Sequence, residues 1–118
     1  DIEVIRPVRD AAAIGRRCFS EHEREALERV EPADRDAAFF HAWTRKEAFI
    51  KAVGVGLSYP LQSFDVTLTP GEPARILRAP GQASTWSIRD LSCLPAFAAA
   101  IVMTAPGARL PLAAGSIR

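Results

Sequence analysis

With 118 residues the chain has room for one domain with a modest core. A formal net charge of +1, with 48% hydrophobic and 25% charged residues, gives no long-range pull towards nucleic acid or a membrane surface. Cys18 and Cys93 are too few for a disulfide framework or a zinc site, and no stretch reaches the about 18 uninterrupted apolar residues of a membrane-spanning helix, so a reduced, cytosolic protein is expected.

The chain opens without Met on "DIEVI", which alternates as an extended segment and is ended by Pro7. It reads as a strand already under way, as in a processed chain or a fragment. Residues i and i+2 of a strand share a face, so Asp1 and Glu3 are expected to point one way and Ile2 into the core. Asp10 is placed to cap a short helix through "AAAIGRRCF". In "SEHEREALERV", Ser20 and Glu23 have capping-box spacing, which predicts a helix over residues 21–29 before Glu31 and Pro32 break it. The longest helix is predicted over residues 33–53, with Pro32 at its first turn and Gly54 and Gly56 at its end.

"LSYPLQS" follows as a loop. "FDVTLT" alternates as a strand with Phe64, Val66 and Leu68 on one face, and "PGEP" turns the chain into a short strand at "ARIL". "APGQAS" turns it again into "TWSIRDL", where Trp86, Ile88 and Leu91 are expected to pack inward, and "LPAFAAAIVMTA" supplies a last, buried strand. Residues 1–105 are expected to form the domain, and residues 106–118, rich in Pro, Gly and Ala, a loose tail. A strand, then helices, then close-spaced strands is the order of an α+β fold, with helices packed on a mostly antiparallel sheet.

The long helix carries the functional signal. At about 100° per residue, Phe39, Phe40, Ala42, Trp43, Phe49, Ile50 and Val53 share a face about half the circumference wide, with His41, Thr44, Arg45 and Ala52 on the other side. Lys46 and Glu47 fall inside the apolar face, and Lys51 lies on its rim. A buried charge needs a partner or a metal. Periodicity leaves two readings open. In one, Lys46 snorkels and Glu47 pairs with Lys51 at i, i+4. In the other, the helix lines a metal-dependent cleft in which Glu47 binds the metal and Lys46 or Lys51 meets a ligand phosphate. Asp1 and Glu3 bear on this choice. Two carboxylates on one strand face are either a solvated strand end or, with Glu47, three oxygen ligands of the kind Mg²⁺ takes alongside water and phosphate.

Three segments together resemble the 4'-phosphopantetheinyl transferases, and within them the long, two-lobed Sfp-type class. "DIE" followed by "RP" is similar to the family's Gly-[Ile/Val]-Asp-x-Glu-x-x-x-Pro strand, cut just before Asp1. "RRCFSEHEREAL" is similar to a second motif at Arg17, Phe19, Ser20, Glu23 and Leu27. "WTRKEAFIKAVGVGL" matches W-(T/S)-x-K-E-(A/S)-x-x-K-x-x-G-x-G-L at Trp43, Thr44, Lys46, Glu47, Ala48, Lys51, Gly54, Gly56 and Leu57. The likeness is close through Leu68 and beyond it is one of strand pattern. The pattern around Trp43 favours the long class over the short, trimeric holo-acyl-carrier-protein synthases.

The resemblance implies a single lobe of the 4'-phosphopantetheinyl transferase fold. It implies transfer of the phosphopantetheine arm of coenzyme A to a serine of an acyl or peptidyl carrier protein, with adenosine 3',5'-bisphosphate leaving and Mg²⁺ required. Asp1, Glu3 and Glu47 match the metal-binding carboxylates, and Lys46 and Lys51 the lysines beside the pyrophosphate. Glu47 matches the group that activates the serine, Lys51 stabilises charge at phosphorus, and Trp43 buttresses the helix. The family's first lobe supplies a histidine that neither His22 nor His41 matches, and His41 is expected at the surface. The chain is therefore expected to be the catalytic C-terminal half of a cytosolic enzyme serving polyketide, nonribosomal-peptide or fatty-acid carrier proteins. A missing N-terminal lobe, or self-association through the surface that lobe would cover, would complete it. The alternative is a non-catalytic lobe that binds a carrier protein or partner chain and is inactive alone.

Overall fold

The structure, a computed structural model, describes residues 1–54, 59–79, 81, 85–92 and 94–104. The expectations for Gly56, Leu57, Cys93 and the tail over 106–118 lie outside the described residues. The elements run β1 (Ile2–Val4), α1 (Ala11–Cys18), α2 (Glu21–Arg29), a 3-10 turn (Pro32–Asp34), α3 (Arg35–Val53), a second 3-10 turn (Leu61–Ser63), β2 (Asp65–Val66), β3 (Ile76–Arg78), β4 (Trp86–Asp90) and β5 (Phe97–Thr104). This is the α+β arrangement expected, with helices on an antiparallel sheet.

The main sheet has the order β1-β5-β4, and β2 and β3 form a separate antiparallel pair. Ile2 stands opposite Ala99 and Val4 opposite Phe97, while Ile88 stands opposite Val102. α3 packs across β5. Ala98 and Ala100, both buried on β5, present small side chains to it and let the helix approach the sheet closely. Among the described residues three core clusters result, around Phe19, Phe39 and Phe40, around Phe49, Phe64 and Val66, and around Ala48, Ile88 and Ala100.

Local sequence signals explain the helix ends. The capping box is formed: Glu23 N donates to Ser20 Oγ at 3.2 Å, and Ser20 N donates to Glu23 Oε1 at 2.8 Å. Gly54 closes α3 in the left-handed region, φ 80°, with its N–H on Ile50 O, as a glycine stop requires. Asp10 differs from expectation. It precedes α1 at φ 53°, and its side chain makes no capping bond. Pro32 opens the 3-10 turn, so the α-helix itself begins only at Arg35.

Four further expectations are corrected. Ile2 does not enter the core: it is 64% exposed, and Asp1 and Glu3 occupy the inner face of β1 instead. Leu91 is also exposed, because β4 ends at Asp90 before the alternation reaches it. β5 is buried on one face only, and Ile101 and Met103 stand exposed on the other. Finally, the presumed polar side of α3 is buried as well. Thr44 and Arg45 are enclosed because the chain around Thr67 and the end of β4 pack there: Arg45 Nη1 donates to Thr67 O at 2.7 Å, and Nη2 to Asp90 Oδ2 at 3.3 Å.

Candidate active site

The inner face of β1 meets one stripe of α3. Along α3, residues 44–46 and 48–50 are buried, Trp43 and Glu47 are half-buried, and Lys51 is exposed. Positions 43, 47 and 51 are successive i, i+4 neighbours, so they form a single seam about 6 Å per step. Asp1 and Glu3 face this seam from the strand. Lys51 Nζ donates to Asp1 Oδ1 at 2.6 Å. At the other end, Glu3 and Trp43 line a common cavity of about 280 Å³ with Phe39, Phe40 and Arg6. Strand and helix thus run in opposite senses here, and Glu47 lies on the helix between the two contacts.

β1 is held firmly at this point. Asp1 N donates to Ala100 O at 2.7 Å and Ala100 N to Asp1 O at 2.9 Å, so the ladder with β5 fixes the Asp1 backbone. The Asp1 side chain is 10% exposed, and its second oxygen, Oδ2, is buried with no hydrogen-bond partner among the described residues. Glu3 is less constrained: Arg6 Nη1 lies 3.4 Å from Glu3 Oε1, while the same nitrogen donates to Val4 O at 2.6 Å. The Arg6 guanidinium sits 4.5 Å above the Phe40 ring.

Lys46 lies in a different setting from Lys51. Its ammonium is buried and donates to Glu23 Oε1 at 2.7 Å, Glu23 Oε2 at 2.9 Å and Phe64 O at 2.6 Å, and it lies 4.0 Å over the Phe64 ring. It neither snorkels nor offers a donor outward. Glu23 in turn accepts from Ser20 N and from Val66 N, the latter at 2.7 Å. Burial pushes the Glu23 carboxyl up and the Lys46 ammonium down, and each opposes the other's shift. The backbone N–H groups converging on Glu23 favour its ionised form. The capping-box spacing identified Glu23 as a helix start, but nothing in local spacing connects it to Lys46, 23 positions away.

His41 also departs from a surface assignment. It is half-buried, Nδ1 is buried with no hydrogen-bond partner among the described residues, and desolvation, with Arg45 adding, holds its pKa below the usual histidine value against the pull of Asp90. Trp43 stacks on Phe39 at 6.4 Å between ring centroids, which suits a buttress.

Among the described residues, no three His, Cys, Asp or Glu side chains converge as a ready metal-binding group. The donor chemistry nonetheless fits a hard divalent cation. Asp1 presents a buried carboxylate oxygen with no partner, and Mg²⁺ commonly takes only one or two carboxylates, the rest of its shell being water and phosphate. Among the described residues no helix is long and apolar enough to cross a membrane.

Residues 1–102 match the model of the 4'-phosphopantetheinyl transferase superfamily. The 4'-phosphopantetheinyl transferase HetI of Nostoc sp. (strain PCC 7120 / SAG 25.82 / UTEX 2576) is 35% identical over 100 residues, which is 85% of this chain and 42% of that protein. The 4'-phosphopantetheinyl transferase psf-1 of Bacillus pumilus is 40% identical over 109 residues, 92% of this chain and 45% of its own. The 4'-phosphopantetheinyl transferase Sfp of Bacillus subtilis (strain 168) is 41% identical over 68 residues, 58% of this chain and 30% of its own. The chain spans less than half the length of these curated relatives.

Proposed function

The chain belongs to the 4'-phosphopantetheinyl transferase superfamily, and from that premise we propose that it is the catalytic lobe of a two-lobed enzyme that transfers the 4'-phosphopantetheine arm of coenzyme A to a serine of an acyl or peptidyl carrier protein. The observation that carries this reading is the seam between β1 and α3, where the nine-tenths-buried Asp1 carboxylate, one oxygen of which has no partner among the described residues, pairs with the exposed Lys51 one helical turn beyond Glu47.

In this mechanism Asp1, Glu3 and Glu47 would hold Mg²⁺, which supplies charge neutralisation and orientation of the pyrophosphate when bound. Glu47 takes the proton of the incoming serine hydroxyl. The serine oxygen forms a bond to the β-phosphorus of coenzyme A as the bond from that phosphorus to the bridging oxygen breaks, releasing adenosine 3',5'-bisphosphate. Lys51, exposed on the last turn of α3, stabilises negative charge gathering on the phosphate oxygens. Lys46 is reassigned on its geometry. With its ammonium committed to Glu23 and Phe64 O, it acts by holding α3 against α2 and β2 and so sets where Glu47 stands.

A face of the main sheet supports a second lobe. Ile2 and Val4 on β1 and Ile101 and Met103 on β5 are exposed on the side away from α3, an apolar patch suited to packing against another domain. That same face favours the second reading, in which the chain is an interaction lobe without turnover by itself. The deciding experiment incubates the protein with coenzyme A, Mg²⁺ and an apo carrier protein and weighs the carrier by mass spectrometry. A gain of one phosphopantetheine supports transfer. No gain by this chain, with gain restored when an N-terminal lobe is added, assigns it the half-enzyme role. No gain in either case removes the proposal.

A further inference from the structure

We propose that Lys51 is a resident counter-cation for Asp1, pairing with its carboxylate and yielding it when a divalent cation and a phosphate ligand arrive together. The proposal rests on the metal-site reading above and adds to it an exchange of partners.

The argument starts from the unequal treatment of the two Asp1 oxygens. Oδ1 accepts from Lys51 Nζ at 2.6 Å, whereas Oδ2 is buried with no hydrogen-bond partner among the described residues. One ammonium therefore satisfies half of a carboxylate that is only 10% exposed. A buried acceptor left without a donor is unfavourable, and a cation on the Oδ2 side would relieve it. An ammonium already at Oδ1 repels that cation at short range. Asp1 is the more confined partner, its side chain 10% exposed and its backbone engaged with Ala100 on β5. Lys51 is the freer one: its side chain is 64% exposed and it lies in the last turn of α3 before Gly54. The mobile partner of the pair is thus the lysine.

Two consequences follow for the site. Without a phosphate ligand, Lys51 weakens metal binding, because the cation must displace or tolerate the ammonium. With a phosphate ligand, the same ammonium has a better-matched anion to move to, so metal and phosphate bind cooperatively through Lys51. A device of this kind keeps the carboxylate from holding metal unproductively before the phosphate ligand is in place.

The test measures Mn²⁺ affinity by electron paramagnetic resonance on the protein, with and without inorganic pyrophosphate. The variants are Lys51→Met, Lys51→Arg and Asp1→Asn. Lys51→Met is expected to bind Mn²⁺ about three- to tenfold more tightly than the parent without pyrophosphate, in keeping with an ion pair whose lysine is exposed and screened by solvent. Pyrophosphate should then enhance Mn²⁺ binding by the parent more than by Lys51→Met, and Lys51→Arg should behave as the parent does. If Lys51→Met binds Mn²⁺ no more tightly than the parent while Asp1→Asn binds it more weakly, the exchange is overturned and the metal site stands. If no form binds Mn²⁺, or if Asp1→Asn binds it as the parent does, both are overturned. Thermal unfolding in a chelator confirms that each variant is folded, and the exposure of Lys51 makes its substitution mild in that respect.

Discussion

Lys46 Nζ lies 2.7 Å from Glu23 Oε1 in an ion pair whose two side chains are 1% and 0% exposed, joining α3 to the first turn of α2. Removing one member strands the other in the interior, which costs about 3–5 kcal/mol for a buried pair. Lys46→Met is therefore expected to lose that much in urea unfolding. Glu23→Gln should lose a comparable amount, because it strands the Lys46 ammonium and turns an amide NH2 onto one of the backbone N–H groups that Glu23 accepts. A loss below about 1 kcal/mol for Lys46→Met would show that the pair does not anchor the helix.

Glu47→Gln separates chemistry from folding. The residue is half-buried and the replacement has nearly the same shape, so the unfolding midpoint should stay close to the parent. Transfer to a carrier protein, assayed in whichever assembly is active, should fall by about 10²-fold or more if Glu47 is both ligand and proton acceptor. Unchanged transfer would take both roles away from it.

Ile101→Lys tests the exposed side of the sheet. Ile101 is 39% exposed and faces away from α3, so a lysine there should change the stability of the lobe by only about 0.5 kcal/mol. Association with a second lobe or a second copy should weaken, and sedimentation velocity at matched concentrations would show the smaller species. The same sedimentation profile as the parent would exclude this face as the contact.

Acid sensitivity should trace in part to His41. Its folded pKa is held below 6.5, first by desolvation and then by Arg45, with Asp90 opposing. The unfolded chain therefore takes up the proton first. The stabilisation is present above about pH 6.5 and is lost as pH falls through and below that value. His41→Gln should show a shallower decline of the urea midpoint between about pH 7 and pH 5. An identical slope would mean that His41 does not contribute.

Much of this was readable in the sequence where the signal is local. The Ser20–Glu23 box, the run from Phe39 to Val53 and the Gly54 stop each depend on neighbours within a few positions, and the structure has each of them. The segments around Asp1, Glu23 and Lys46–Glu47–Lys51 also carried enough motif to indicate the family. Periodicity failed where burial comes from both sides. Thr44 and Arg45 read as a solvent face because a helical wheel assumes one core, whereas α3 has chain packed on its far side too. For β1, alternation gave the shared face of Asp1 and Glu3 but not its direction, since a one-sided strand only three residues long has two equivalent orientations until its neighbours are known. The partners of Lys46, Lys51 and Arg45 lie 23, 50 and 45 positions away, distances over which spacing carries no information.

α3 contributes residues to all three core clusters: Phe39 and Phe40 to the first, Phe49 and Ile50 to the second, Ala48 to the third. The helix therefore cannot leave without opening all of them. Its central amides should therefore exchange with solvent deuterium only through whole-domain opening, with the slowest exchange rates in the chain. Glu47 stands on that segment, so its place on the backbone is as durable as the fold itself.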